Sequence, residues 1–318
     1  MEKHLTSFLG ALLVSAVALH GETSLKDVLA KIEPATAKPT DTTTAFTVDG
    51  VVSARTVLKD GSLAFFLHKD DAGLPVVFKG EAAKLPRYRE RVEVTGKLTR
   101  TADGITGLLV AADGLTLKGT NQGLPPIEVV SWDAFGDAAA LAKLEGRHIV
   151  VTNVSWVTAG KFEPQPVYTL KTENGKTVAA QPHPNLHGRT APTAPVNVFG
   201  TVARWQPDGA KAPEFRVVPA RFIAANSATI RDLATKHTCI TCHNPDVKLL
   251  GPAYKVVAAK FADDPDAIAK MIDQMEKGGQ GKWGPIPMLP FKGRVTPDEM
   301  KQLATWIYEM RWEAVLNR

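Results

Sequence analysis

The spacing of hydrophobic positions changes once along the chain, near residue 226. From Phe46 to about Ala225, apolar and polar residues alternate in short runs, and this period of two is typical of half-buried β-strands. From Asn226 onward, apolar residues recur every three or four positions, which is the period of an amphipathic helix. The pattern therefore predicts a β-rich region followed by a helical region.

The β-rich region contains two groups of five predicted strands. The first group is Phe46–Ser53, Ala64–His68, Pro75–Phe78, Arg91–Thr99 and Ile105–Val110. The second group is Arg147–Val157, Val167–Thr172, Lys176–Gln181, Val196–Trp205 and Glu214–Val218. Turn pairs such as Asp60-Gly61 and Asn174-Gly175 separate neighbouring strands. Between the groups, Ser131–Leu144 predicts a helix with Ser131 as its N-cap.

The two groups share a sequence match around one strand. Val92–Arg100 and Val196–Arg204 carry Val, Val, Gly and Arg at equivalent positions, and the two segments lie 104 residues apart. A glycine inside a long strand allows a small, tightly coiled barrel to bend that strand. We interpret the match as an internal repeat of two barrels. The alternative is a chance similarity between two strands rich in Val and Thr.

Each unit of the repeat resembles the five-stranded OB barrel, and the pair resembles the tandem OB-like modules of exported bacterial proteins. The resemblance implies two small all-β OB-like domains, residues 46–118 and 127–225, joined by a Gly- and Pro-containing linker. A helical domain, residues 227–318, follows them. No signature residue accompanies this resemblance, so it implies a fold and no function.

The N-terminus has the pattern of an export signal. Phe8–Leu19 is a run of 12 apolar or small residues, and Ala16–Ala18 offers the small side chains that a signal peptidase prefers. We predict a signal peptide over residues 1–18; the alternative is an uncleaved anchor, for which the run is short of the roughly 20 residues that span a bilayer. Residues 19–45 are predicted to form a linker, with a short helix over Ser24–Ile32 and a tether after it. No later segment is long and apolar enough to cross a membrane.

The helical region contains three predicted helices, two of which have an N-cap residue. A helix is predicted over Ala228–Lys236, and a second helix is predicted from the cap Asp264. The last helix is predicted to begin at Thr296, with Glu299 at the capping-box position. These signals predict an all-α domain at the end of the chain.

The two cysteines of the chain lie three residues apart in Cys239-Ile-Thr-Cys242-His243. Cys-x-x-Cys-His is the attachment pattern of a c-type haem, in which both thiols bond one haem and the histidine ligates the iron. A structural zinc site would need four Cys or His ligands, and a thioredoxin-like pair would lie near a βαβ pattern. The motif therefore predicts one covalently attached haem c, with His243 as a metal ligand.

A second axial ligand is predicted at Met288, in Gly284-Pro-Ile-Pro-Met288-Leu-Pro290. Prolines on both sides fix the loop and remove backbone donors, so the loop is suited to presenting one thioether. Met288 lies 45 residues after His243, far enough for the chain to return over the opposite haem face. Other methionines, such as Met271 and Met300, fall on helical apolar stripes, where core packing is the better interpretation.

At this point the C-terminal region, from about Ala228 to Asn317, resembles the small class I bacterial cytochromes c. The resemblance follows Lys248–Phe261 and then Gly278–Met288, which together cover nearly the whole of the last domain. It implies an all-α class I cytochrome c fold. Relatives often carry an Asn shortly after the Met-Pro segment, where this chain has Phe291-Lys292-Gly293, and this departure bears on the tuning of the Met–iron bond.

The resemblance also implies roles for single residues in haem binding. Pro252 would accept a hydrogen bond from the ring of His243, and Trp283 would pack at the haem edge and donate its indole N–H to a propionate. His243 and Met288 would complete a six-coordinate iron, which raises the reduction potential and leaves no open position for a substrate. The expected activity is electron transfer by a carrier and not catalysis.

Charge and the remaining candidate residues add little to this assignment. The 38 basic and 33 acidic residues give a net charge of only +5, which argues against a nucleic-acid binder. His183 and His187 have the spacing of a helical metal pair, but Pro182 and Pro184 make exposed loop histidines the better interpretation. His68 and His148 are expected to be structural. Three tryptophans are expected to pack in barrel cores or between domains: Trp132, Trp156 and Trp205.

The sequence therefore predicts a periplasmic monohaem electron carrier that exchanges electrons with redox partner proteins. The OB-like modules are expected to dock or position a partner. Two alternatives stay open: a haem-containing binding or sensor protein, and an electron-transfer subunit of a larger oxidoreductase complex.

Overall fold

The computed structural model describes residues 23–120, 122–123, 127–158, 160–163, 167–207 and 209–312. The predicted signal peptide, residues 1–18, lies outside the described residues. Within them the helices are α1 Leu25–Leu29, α2 Ala138–Ala142, α3 Ser227–Lys236, α4 Cys239–Cys242, α5 Tyr254–Lys260, α6 Ala267–Lys277 and α7 Pro297–Glu309. The strands are β1 Ala45–Val57, β2 Leu63–Lys69, β3 Ala72–Lys79, β4 Arg91–Arg100, β5 Thr106–Ala111, β6 Leu115–Gly119, β7 Glu128–Val130, β8 His148–Trp156, β9 Tyr168–Thr172, β10 Thr177–Ala180, β11 Val196–Trp205 and β12 Glu214–Ala224.

Strands β1–β5 form a closed barrel, called barrel 1. Strand β1 pairs antiparallel with β2 along its second half and with β4 along its first half. Strand β2 pairs with β3, β3 runs parallel to β5, and β5 returns antiparallel to β4. Because the two ends of this order meet at β1 and β4, the sheet closes on itself.

Strands β8–β12 form a second barrel, called barrel 2, with the same pairings in the same order. Strand β8 pairs antiparallel with β9 and β11, and β10 runs parallel to β12. Strands β4 and β11, which carry the sequence match, occupy the same place in the two barrels. The two five-stranded barrels predicted from the repeat are therefore confirmed.

The region between the barrels differs from its prediction. The helix expected over Ser131–Leu144 is replaced by a single 3-10 turn, Trp132–Ala134, and the short helix α2. Gly136 breaks the helix because its φ is +79°, and Asp137 then caps α2 by accepting from the amides of Ala139 and Ala140. Strands β6 and β7 were not predicted, since they are short edge strands that expose most of their side chains.

The short helix predicted before β1 is confirmed as α1, but the residues after it are packed and do not form the predicted tether. Leu25 and Val28 of α1 are 3% and 0% exposed and belong to the core of barrel 1. Further along, the carbonyl of Ala37 accepts a hydrogen bond of 2.9 Å from the guanidinium of Arg100. Two apolar side chains one helical turn apart are enough to dock this segment, although its composition is that of a linker.

The strand glycines lie where two backbones come close together. A Cβ on Gly96 would lie 2.3 Å from the carbonyl oxygen of Leu109, and one on Gly200 would lie 2.1 Å from that of Val218. Both contacts join the matched strand to the fifth strand of its barrel. Glycine is required there because any side chain would force the two strands apart.

The barrels pack on each other through the outer faces of β1–β3 and β11–β12. Phe66 and Val77 of barrel 1 are buried against Val218 and Trp205 of barrel 2. The side chain of Gln181 donates to the carbonyl of Val57 at 3.3 Å across the same boundary. Trp205 thus packs between domains, as the sequence predicted.

Two histidines that are far apart in sequence meet at this boundary. His68 and His148 are 2% and 1% exposed, and their ring centroids lie 6.3 Å apart. Burial, with smaller contributions from His148 and Arg147 and opposed by Asp71 and Asp70, lowers the pKa of His68 to about 4. The imidazole of His68 is therefore neutral at the barrel–barrel boundary.

Residues 227–312 form the helical domain, in which α3, α5 and α6 pack on α7. Helix α7 has the predicted capping box, with reciprocal bonds between Thr296 and Glu299. Helix α6 begins at Ala267 and not at Asp264, because the Asp264 carboxylate accepts from the amide of Asp266 and closes a turn before the helix. In the part of the chain that the structure describes, no helix has both the length and the apolar content needed to cross a bilayer.

We predict that Gly96→Ala and Gly200→Ala each destabilise their barrel. An added methyl group must displace a carbonyl of the neighbouring strand, which typically costs about 1–3 kcal/mol. The measurement is the free energy of unfolding from denaturant titration. Gly123→Ala is the matched control, since a Cβ at Gly123 meets nothing within 4 Å. Equal stability of all three variants would contradict the close approach of the strands.

We predict that acid destabilises the chain partly through His68. Its folded pKa of about 4 lies below the ordinary value of 6.5, so its contribution is complete above about pH 6.5. This stability is lost as the pH falls from about 6.5 to about 4, by at most ~1.4 kcal/mol per pH unit. His68→Gln should flatten the pH dependence of the unfolding free energy in this window.

The matched control for this experiment is His187→Gln. It removes a histidine of barrel 2 that lies beside Tyr168, with ring centroids 6.4 Å apart. An unchanged slope in His68→Gln would mean that His68 takes up its proton without cost in the folded chain.

Candidate functional site

The cysteine motif forms its own helical turn after a sharp change of chain direction. Helix α3 ends at Lys236, and Thr238 has a left-handed conformation with φ of +59°. Cys239–Cys242 then form one turn, so the two thiols lie on the same side of it. Both cysteines are half-buried and free of a disulfide. Burial raises the pKa of the Cys239 thiol.

His243 follows this turn directly, and its ring is fixed by the backbone. The distance from His243 Nδ1 to the carbonyl oxygen of Pro252 is 2.8 Å. Because a carbonyl only accepts hydrogen bonds, Nδ1 carries a proton, and in the neutral imidazole this leaves the lone pair on Nε2. The amide of Gly251 donates to the carbonyl of Cys242 at 2.8 Å, which holds the two segments together. The arrangement leaves Nε2 as a metal-ligating atom.

The ring of His243 is enclosed on two sides. A Cβ on Gly251 would lie 2.3 Å from its Cε1, so no other residue fits there without moving the ring. The ring of Tyr254 stacks on it with a centroid separation of 5.3 Å and an interplanar angle of 12°. Tyr254 in turn meets Trp306 edge-on at 5.4 Å. The orientation of His243 is therefore set by a hydrogen bond, a glycine and an aromatic stack.

Met288 is held by the end of α6. Its amide donates to the carbonyl of Gly279 at 2.8 Å, and the amide of Gly279 donates to the carbonyl of Met288 at 3.0 Å. Gly278 has φ of +67°, and a Cβ there would lie 2.4 Å from the Met288 carbonyl oxygen. The side chain of Met288 is half-buried, whereas Met271 and Met300 are buried in the core of the helical domain.

Large apolar side chains are exposed beside both predicted ligands. Val247, Leu249 and Leu250 follow His243 and are 44–56% exposed, and Ile286 and Leu289 flank Met288 and are 53% and 63% exposed. Exposed apolar patches of this kind mark sites for apolar groups. Free thiols, a fixed imidazole, a held thioether and apolar walls together fit a covalently attached haem.

Trp283 lies in the loop between α6 and Met288 and is half-buried. The ammonium group of Lys260 lies 4.6 Å from the centroid of its ring. A basic group and an indole N–H in one place suit an anionic group such as a carboxylate.

The predicted loop histidines do not form a helical pair. His183 precedes a 3-10 turn, Pro184–Leu186, and its side chain accepts from the amide of Asn185. Burial lowers the pKa of His183 to about 4. Among the described residues, no group of three or more His, Cys, Asp or Glu side chains is arranged to hold a metal ion. Both histidines lie outside any α-helix, as predicted, but they are half-buried and not exposed as the sequence suggested, because the loop packs on barrel 2 through the buried Leu186.

The helical domain is similar to known proteins. The family model for cytochrome c matches residues 227–311. Cytochrome c-551 of Pseudomonas denitrificans is 40% identical over 84 residues, which cover 26% of this chain and 100% of that protein. Cytochrome c-552 of Nitrosomonas europaea is 39% identical over 92 residues, which cover 29% of this chain and 88% of that protein.

The crystal structure of wild-type Nitrosomonas europaea cytochrome c552 matches with 42% identity over 25% of this chain and 98% of that chain, with a TM-score of 0.24. The residues matched by the family model, 227–311, lie outside both barrels.

We predict that Gly251→Ala loosens His243. The new methyl group displaces the imidazole and breaks its bond to Pro252, and outer hydrogen bonds of this kind typically contribute roughly 10–100-fold to metal affinity. In a denaturant titration, the haem-loaded variant should therefore lose the absorption bands that report axial ligation at a lower denaturant concentration than wild type. Gly123→Ala should behave as wild type, and an unaffected Gly251→Ala variant would contradict the enclosed ring.

Proposed function

The chain belongs to the cytochrome c family through residues 227–311, and on this premise we propose that it is an exported electron carrier with one haem. Membership of the family implies a covalently bound haem c, and Cys239 and Cys242 are consistent with its attachment site. The haem supplies an iron that cycles between two oxidation states one electron apart. The observation that carries the proposal is the fixed imidazole of His243 beside the two thiols.

The proposed axial ligands are His243 and Met288. The bond from His243 Nδ1 to the Pro252 carbonyl fixes the ring, so that Nε2 would be the atom that binds the iron, and the bond would raise the basicity of the ring. The paired bonds between Met288 and Gly279 hold the thioether loop against α6. Ligands that hardly move between oxidation states suit an electron carrier, and with both positions filled the iron has none open for a substrate. The contact between Lys260 and the ring of Trp283 supports a role for this pair beside a haem propionate.

The two barrels are proposed to be OB-like modules that position a redox partner. Each is a closed five-stranded barrel with its third strand parallel to its fifth. OB folds bind oligonucleotides on the face of their second and third strands. In barrel 1 the residues of that face, Ala64, Phe66 and Val77, are buried against barrel 2. This occlusion and the near-neutral charge favour a docking role over nucleic-acid binding.

The proposed location is the periplasm. The export signal predicted over residues 1–18 and the attachment of haem c outside the cytoplasm both favour it. Cell fractionation with detection of covalent haem in the periplasmic fraction tests this location; recovery of the loaded protein only with the cytoplasm would contradict it.

We predict that Met288→Ala lowers the reduction potential, because a methionine ligand raises it and axial ligands set potentials over a range of roughly 0.8 V. Spectroelectrochemical titration of the full-length loaded protein measures the shift. Met275→Leu is the control, since Met275 packs half-buried against the core of the helical domain. A wild-type protein without a reversible one-electron couple would contradict the proposed function.

A further inference from the structure

We propose that barrel 2 and the haem domain form one folding unit, in which Trp312 completes the core of barrel 2 only when the haem domain is folded. Trp312 follows α7 of the haem domain, yet it belongs to the apolar core of barrel 2 and is 0% exposed. Its ring lies 4.7 Å from Phe222 and 6.1 Å from Phe162, measured between centroids. Barrel 2 thus takes one of its largest core side chains from another domain.

Helix α7 fixes the direction from which Trp312 enters. The indole N–H of Trp312 donates to the carboxylate of Glu309. The guanidinium of Arg311 lies 3.9 Å from the centroid of the Trp312 ring and 3.7 Å from that of Tyr308. Arg311 is only 3% exposed and is paired with Glu309 at 3.1 Å. These contacts hold Trp312 in place relative to α7, so its position in barrel 2 depends on the position of the whole helix.

A second contact joins the same two domains. Ala262, in the turn after α5, is 5% exposed and belongs to the core of barrel 2. The neighbouring Asp263 forms an ion pair with Arg189, in the barrel 2 loop that precedes β11. The Arg189 side chain also donates to the carbonyl of Asn185 at 2.8 Å, within that loop. The haem domain therefore holds this loop as well as closing the core.

Barrel 1 is built differently and provides the comparison. The two barrels share one feature, a leucine at the 3-10 turn before the matched strand that is buried in the barrel core. This leucine is Leu85 in barrel 1 and Leu186 in barrel 2. The core of barrel 1 is completed by Leu25 and Val28, which precede its first strand. Only barrel 2 includes residues of the haem domain in its core cluster, among the described residues.

Shared core residues couple the stabilities of the two domains in both directions. The haem that the proposed function requires stays bonded to Cys239 and Cys242 in the unfolded chain, but its burial and its ligation by the distant Met288 would form only in the folded haem domain and would stabilise that state. Stabilising the folded haem domain also stabilises barrel 2, because α7 positions Trp312 in the barrel 2 core. A chain without haem would consequently have barrel 2 open beside Phe162 and Phe222, while barrel 1 stays closed.

Hydrogen exchange of the full-length chain, read by mass spectrometry, tests this coupling. In haem-loaded Trp312→Ala, peptides covering residues 183–191 and β9 should exchange on the order of a hundredfold faster, the factor expected for loss of a buried Trp. Peptides of β4 in barrel 1 should keep wild-type protection, which establishes that the variant is folded. The haem-free variant Cys239→Ser/Cys242→Ser should reproduce the fast exchange of barrel 2.

Phe65→Ala is the matched control, because Phe65 is a fully buried aromatic residue in the core of barrel 1. It should leave residues 183–191 and β9 protected. Wild-type protection of barrel 2 in either Trp312→Ala or the haem-free variant would overturn the inference. A reversible one-electron couple in the same wild-type sample would still stand, so the two proposals fail separately.

Discussion

Burial of apolar side chains across domain boundaries is the constraint on which this structure depends. Small five-stranded barrels enclose few residues, and each barrel here takes core side chains from a segment outside its strands. Barrel 1 takes Leu25 and Val28 from α1, and barrel 2 takes Trp312 from the end of α7. The boundary between the barrels is itself an apolar cluster around Phe66 and Trp205. Each domain is therefore completed by its neighbour.

This constraint gives a physical reason for joining a small cytochrome to two barrels. A cytochrome on a flexible linker would present its haem in every direction. Here the contacts of Ala262 and Trp312 with barrel 2 set one orientation for α7. The stack from Trp306 through Tyr254 to His243 extends from that helix to the proposed iron ligand. The barrels and the haem site are thus parts of one packed assembly, and a partner bound to the barrels would face the haem in a fixed geometry.

The haem attachment motif could be recognised in the sequence, and a second ligand could be proposed from it, because the signals are local. Cys239, Cys242 and His243 are adjacent in the chain, and Met288 is marked by its own prolines. Long strands were readable for a similar reason, since a period of two records which face is buried. The contacts that failed to be predicted are those between segments distant in sequence: the docking of α1, the approach of His68 to His148, and the insertion of Trp312. No local pattern distinguishes a Trp that packs in its own domain from one that packs in the next.

The secondary-structure predictions that were wrong also failed because the deciding feature appears only in the folded chain. Gly136 was read as one residue of a helical run over Ser131–Leu144, although its φ of +79° ends any helix there. The residues after the predicted helix Ser24–Ile32 were read as a tether because they offer no apolar face, yet Ala37 is 6% exposed and its carbonyl accepts a hydrogen bond from Arg100 of β4. The stability that a buried apolar residue contributes depends on the cavity that it fills, and that cavity exists only in the folded chain. For this protein the proposed ligands of the haem are encoded locally, whereas the orientation of the helical domain is encoded in contacts between domains.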